Sequence, residues 1–222
     1  MRARGLLNAR EKLTRMGSAV LLTGLLVPAR PAHSQPIPVE LAAGTRYATI
    51  NLVMSKGFGE TSRFGFFHLS TLVMDYDDEE QDDLSTQDLL FFEPVTGFRF
   101  TAGAFYGTRP GFNPTAGMQY MRAGRTLFLL VSPRINIESD PSFSIFSIAR
   151  YRPDLTEHAK LYLGLRMLNS FDTERHIKSY QWLRAGVDIR GTQFGVTANV
   201  DERGPQPDVT LTVGLFVRRE IR

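Results

Sequence analysis

The chain has 222 residues, 42% hydrophobic and 22% charged, with no cysteine and a formal net charge of +3. That charge belongs to the first 34 residues, which hold six Lys/Arg and one Glu; without them the remainder carries −2, so the pI near 9.3 is no argument for nucleic acid. With no cysteine there are no disulfide staples, and no stretch is apolar for the ~18 residues a membrane helix needs.

Residues 1–34 have the pattern of a cleavable signal peptide. Arg2, Arg4, Arg10, Lys12 and Arg15 precede a short apolar run from Ser18 to Val27. Ala32-His33-Ser34 then satisfies the small-x-small cleavage rule and leaves Gln35 as the new terminus. No cysteine follows, so a lipoprotein anchor is not expected. Residues 35–44, with Pro36 and Pro38, read as an N-terminal lead-in, and 45–222 as one domain.

From there the side chains alternate with the period of two that belongs to β-strands. Arg46 to Met54 sets Ala48, Ile50, Leu52 and Met54 against Tyr47, Thr49, Asn51 and Val53. Phe64 to Met74 is strongly apolar and ends at the acidic run Asp75 to Asp83, which reads as a solvated outer loop. Gln87 to Val95 and Phe98 to Tyr106 form a hairpin across Thr96-Gly97, and Arg109 to Pro114 reads as a loop. Ala116 to Arg122 and Thr126 to Val131 pair across Ala123-Gly124. Ser144 to Tyr151 and Ala159 to Leu168 follow. In the last three strands Leu183, Ala185, Val187 and Ile189, then Phe194, Val196, Ala198 and Val200, then Val209 to Val217, each present one apolar face.

These are eleven candidate strands without a competing helical period. A twelfth within Pro38–Ala43 would give an even number, and merging two weak candidates would give ten. Tight turns at Thr96-Gly97, Ala123-Gly124 and Gly191 alternate with longer polar connections, as in outer-membrane barrels. The non-apolar face carries Arg99, Arg166, Arg184, Asp188, Arg190, Gln193 and Asn199, interleaved with Gly103, Gly164, Gly186 and Gly195. Glycine weakens an exposed strand, so glycine opposite arginine suggests a crowded lumen with room made for long side chains. The expected fold is a closed antiparallel up-and-down transmembrane β-barrel of 10–12 strands in the cell outer membrane. A soluble barrel with the faces inverted is the alternative. Tyr47, Tyr106, Tyr120, Tyr151, Tyr180 and Trp182 are candidates for interfacial aromatic girdles, with Trp182 equally placed for a lumen core.

The segments Gln181-Trp182-Leu183-Arg184-Ala185-Gly186-Val187, Gln193-Phe194-Gly195-Val196 and Gly214-Leu215-Phe216-Val217-Arg218-Arg219-Glu220-Ile221 resemble small outer-membrane β-barrel proteins of Bacteroidota-type bacteria. The resemblance covers roughly 178–221 and implies fold and location, not activity. It also implies a terminal aromatic read by the outer-membrane assembly machinery. Because this chain ends Ile221-Arg222, Phe216 is the candidate for that signal.

Chemistry is sparse. His68-Leu69-Ser70 is the one spacing that supports nucleophilic catalysis, because i and i+2 share a strand face. A His-x-Ser motif also marks outer-membrane lipid A deacylases, where Asn-Ala follows; here Thr71-Leu72 follows. Asp88 or Glu93 is the candidate third member. The acidic run lacks calcium-loop spacing, the histidines lack metal-ligand spacing, and no phosphate-cradling motif occurs, so neither metal nor cofactor is expected. The expected role is structural or interactional: a monomer with its lumen plugged by ion pairs, meeting lipid, lipopolysaccharide and the assembly machinery. The alternatives are a deacylase-like hydrolase using His68 and Ser70, or a narrow pore.

Overall fold

A computed structural model describes residues 37–59, 61–137, 141–204 and 208–221. The signal-peptide reading of residues 1–34 lies outside the described residues. Twelve strands close into one antiparallel barrel in which each strand pairs with its neighbours in sequence. They are β1 (Ile37–Gly44), β2 (Tyr47–Gly57), β3 (Phe64–Asp75), β4 (Asp83–Val95), β5 (Phe98–Gly107) and β6 (Gly111–Ala123). The second half comprises β7 (Leu127–Asn136), β8 (Ser142–Tyr151), β9 (Ala159–Phe171), β10 (His176–Ile189), β11 (Thr192–Arg203) and β12 (Asp208–Ile221). A one-turn 3-10 helix, Glu79–Gln81, caps the β3–β4 connection.

The lead-in is therefore largely a strand. β1 closes the barrel on β12 with continuous register from Ile37↔Ile221 to Gly44↔Gly214. Its prolines do not prevent this, because Pro36 precedes the strand and Pro38 lies at its start, where a missing N–H is tolerated. Likewise, Gly111–Pro114 belongs to β6 and Pro114 sits opposite Ala104, so only residues 108–110 remain as the connection. Connection lengths do not alternate cleanly. The end where β1 begins and β12 ends (the terminal end) has tight turns at 96–97 and 190–191 but longer links at 58–63 and 152–158. The opposite, loop end holds the two-residue link 45–46.

The alternation assigns the faces. Outward-pointing Leu183, Val196, Leu211 and Leu215 are 50–67% exposed, as are Phe98 and Phe100 at 57%. Their inward neighbours Arg184, Asp188, Thr197, Asn199 and Thr212 are at most 6% exposed. A contiguous apolar exterior of this extent belongs in hydrocarbon. The closed sheet pairs the backbone groups that a bilayer would leave unsatisfied.

Glycine has two uses here, only one of which follows the expectation. At Gly164 a side chain would press on Arg184 and Tyr162, so space for an arginine is the reason. Gly186 and Gly195 face each other across β10 and β11, and a Cβ on either would meet the opposite strand's backbone carbonyl. Those two permit the sheet to coil sharply.

Candidate functional site

The lumen is crossed by side chains from opposite walls. Arg166 of β9 reaches across to β2 and β3, donating to Asn51 and Thr71, and lies 5.2 Å over both the Phe146 and Trp182 rings. Around it Phe67, Leu69, Leu89, Leu130, Phe146, Tyr180 and Trp182 form one buried apolar cluster. Trp182 donates its indole N–H to Asp201 at 3.1 Å, and the Tyr47 hydroxyl donates to the same carboxylate. Tyr47, Tyr180 and Trp182 are thus lumen residues and not girdle residues, because each falls on the inward parity of its strand. Tyr106 and Tyr151 do face outward.

Toward the loop end Lys178 of β10 donates to Asp83 of β4 at 2.7 Å. The acidic run is therefore not wholly solvated: Asp83 is 9% exposed. This second tie separates a narrow crevice by β2, β3 and β10–β12 from a cavity of about 740 Å³ by β3–β10. The larger cavity is lined by Arg109, Arg134, Arg166, Arg175, Lys178 and Arg203 against two acids, Asp83 and Asp172. On its rim, the backbone N–H of Glu174 and then the Arg175 guanidinium hold the Asp172 carboxyl below its usual range.

The terminal half is filled by ion pairs and amides. Arg184 donates to Glu40 at 3.0 Å and to Asn199 at 2.7 Å. Asp188 accepts from Gln193 at 2.8 Å and from the Gly191 N–H, with Arg152 at 3.5 Å. Arg218 donates to Gln193. Arg99 donates to Glu93 at 2.6 Å and to Ser55 at 2.9 Å. Of the anticipated lumen set, six members point inward. Arg190 does not: it occupies the exposed β10–β11 turn with φ 52°, a position the tight reversal forces on it. Phe216 points inward as well, its ring tilted against Tyr162 with centroids 5.5 Å apart, and only 4% exposed.

His68 and Ser70 lie on the other face. The inward positions of β3 are Phe67, Leu69, Thr71 and Val73, so His68 and Ser70 are on the bilayer side of the sheet, covered by their neighbours to 8% and 7% exposure. His68 is directly opposite Asp88 on β4, and its Nδ1 is 2.8 Å from Asp88 Oδ1. Asp88 is thus the third member that the structure brings to His68; Glu93 is inside, paired with Arg99. Ser70 stands opposite Thr86 and Leu52. Other outward charges among the described residues lie near strand ends, at Lys56, Arg122, Glu202 and Arg219.

Sequence reading missed Arg134 and the polar group around His176. Arg134 continues the inward parity of Leu130 and Ser132, but lies beyond Val131, where the strand read from the sequence stops. At the loop end His176 Nε2 lies 2.7 Å from Ser179 Oγ, which is 3.1 Å from Asn169 Oδ1. A β-bulge between His176 and Lys178 aims the ring there, and no sequence signal marks it.

No protein-family profile and no curated protein matches the chain. It is similar to solved β-barrels, including a KdgM porin, at 10% identity over 84% of this chain and 99% of that one, with a TM-score of 0.48. A NanC porin matches at 8% identity over 85% and 100% of the two chains, TM-score 0.48. An outer membrane channel from Pseudomonas putida F1 matches at 11% over 87% and 100%, TM-score 0.42. Likeness at this level says nothing of what the chain binds. The even-stranded antiparallel closure, apolar exterior and polar interior make it a transmembrane barrel of the bacterial outer membrane.

Proposed function

We propose that the protein is a monomeric, non-conducting barrel of the Gram-negative envelope with a structural or interactional role. Its apolar belt meets lipid, and its loop end faces lipopolysaccharide and outer partners. The observation that carries this reading is Arg166, fixed across the lumen to Asn51 and Thr71 within an apolar cluster drawn from both walls. Barrels of this size are generally filled by their own side chains, and aqueous channels come at about 16 strands. A closed sheet also offers no free edge for pairing with a second copy. Planar-bilayer recording tests the reading: the wild type should give no steady conductance, and a stable anion-selective current would overturn it.

One observation favours a second reading, a hydrolase acting on lipid acyl esters. It is the His68–Asp88 contact at 2.8 Å on the bilayer-facing wall, with Ser70 on the same face. Asp88 would hold the Nδ1–H and leave Nε2 to take the Ser70 proton as the oxygen attacks an ester carbonyl. The same imidazolium would return that proton to the leaving alcohol, and water would then release the acyl group. Assay of acyl-chain release from lipid A by Ser70→Ala decides it: undiminished release ends this reading.

A further inference from the structure

Arg134 is held where, among the described residues, no carboxylate meets its charge. It points into the lumen from β7, only 6% exposed, and its Nε has no hydrogen-bond partner. Its register partner on β6 is Gly117, so no side chain stands between it and β5, where its guanidinium lies 4.3 Å over the Phe105 ring. No carboxylate is paired with it among the described residues, although Arg99 and Arg184 each have one. A guanidinium desolvated on one side and unpaired on the other is costly unless something supplies the opposite charge.

Other unused donors share the same cavity. Gln87 is the register partner of Phe105 and 2% exposed, and its Nε2 has no partner; neither has Arg166 Nε in the cavity floor. Asn136 Oδ1 is an unpartnered acceptor, and the wall also carries hydroxyls that are already bonded: Ser142 accepts from Asn136, and Ser144 and Ser170 share a hydrogen bond of 2.9 Å. The surplus is of N–H groups and positive charge, which selects an anion. The fork of an arginine matches a carboxylate or phosphate in two parallel bonds. The volume, about 740 Å³, is that of a site for a small organic molecule and far more than a lone inorganic ion fills.

We propose that this cavity is a binding site for a sugar-sized, hydroxylated solute carrying one oxyanion. The oxyanion pairs with Arg134 and the Gln87 amide, and the hydroxyls meet the serine wall. The site opens at the loop end and does not require passage through the barrel, so its failure and that of the non-conducting reading are separate results.

The test is calorimetric titration of the full, detergent-folded protein with glucuronate, glucose 6-phosphate, glucose and inorganic phosphate. At least one of the two anionic sugars should bind, glucose should give no heat, and inorganic phosphate should bind at least tenfold more weakly than the better sugar. Arg134→Gln should weaken binding at least tenfold. Ser144→Trp, which fills the cavity beside Arg134, its register partner, should abolish it as well. Heat-modifiable migration on a gel confirms that each variant is folded, and Arg134→Lys, which keeps the charge without the fork, replaces Arg134→Gln should that variant not fold. The proposal is overturned if neither anionic sugar binds, if glucose binds equally, if inorganic phosphate binds as tightly as the sugar, or if the Arg134 substitution changes nothing.

Discussion

Asp88 faces lipid from within the apolar belt, with Phe66, Leu90 and Phe100 toward one end and Leu72 and Met74 toward the other. A carboxylate there is tolerable because His68 sits against it at 2.8 Å. Removing one partner should therefore cost more than removing both. His68→Leu is expected to destabilise the barrel by about 2–3 kcal/mol, and the double His68→Leu/Asp88→Leu by less, read from urea unfolding in lipid vesicles. Equal losses would mean the two side chains are not coupled. Arg190 presents the opposite case, a single residue under backbone strain. Its φ of 52° suits glycine, so Arg190→Gly should raise stability by up to about 1 kcal/mol in the same assay.

The strands were the most legible part of the sequence, since a period of two survives any context that buries one face. Alternation groups Val196 with Leu211 and Arg184 with Asn199, and glycine opposite arginine puts the first pair outside and the second inside, as the exposures confirm. Strand ends were less legible. Pro114 and Pro38 each suggest a boundary, yet both lie within strands, because one missing N–H does not end a ladder that continues beyond it. The belt itself can be tested at Leu211, near the loop end of β12 and 62% exposed. Leu211→Lys should cost about 1–4 kcal/mol, the exact loss rising with depth, while Glu157→Lys in an exposed loop should cost almost nothing. At Gly186, any side chain strikes the Phe194 carbonyl, so Gly186→Val should lower the unfolding midpoint or block insertion outright.

At the scale of the whole barrel, what joins opposite walls was not legible at all. Arg166 and Asn51 are 115 positions apart, and Lys178 and Asp83 are 95 apart; no local pattern reports such a meeting. Polar residues on an inward face could be anticipated, but which pairs span the lumen depends on closure. These two ties carry the prediction that belongs to this scale. Arg166→Ala with Lys178→Ala removes the guanidinium and the ammonium that cross between walls. Planar-bilayer recordings of that variant should show small, frequent openings absent from the wild type. A silent variant would assign the seal to the apolar cluster alone.

The pairing of Ile37 with Ile221 brings the two ends of the described chain onto adjacent strands at one rim. A short peptide could therefore join them, and the backbone could be reopened between Tyr76 and Asp82 without severing a single ladder. Such a circular permutant would begin its synthesis with β4 and finish with β3, and the wall that now closes last would be made in mid-chain.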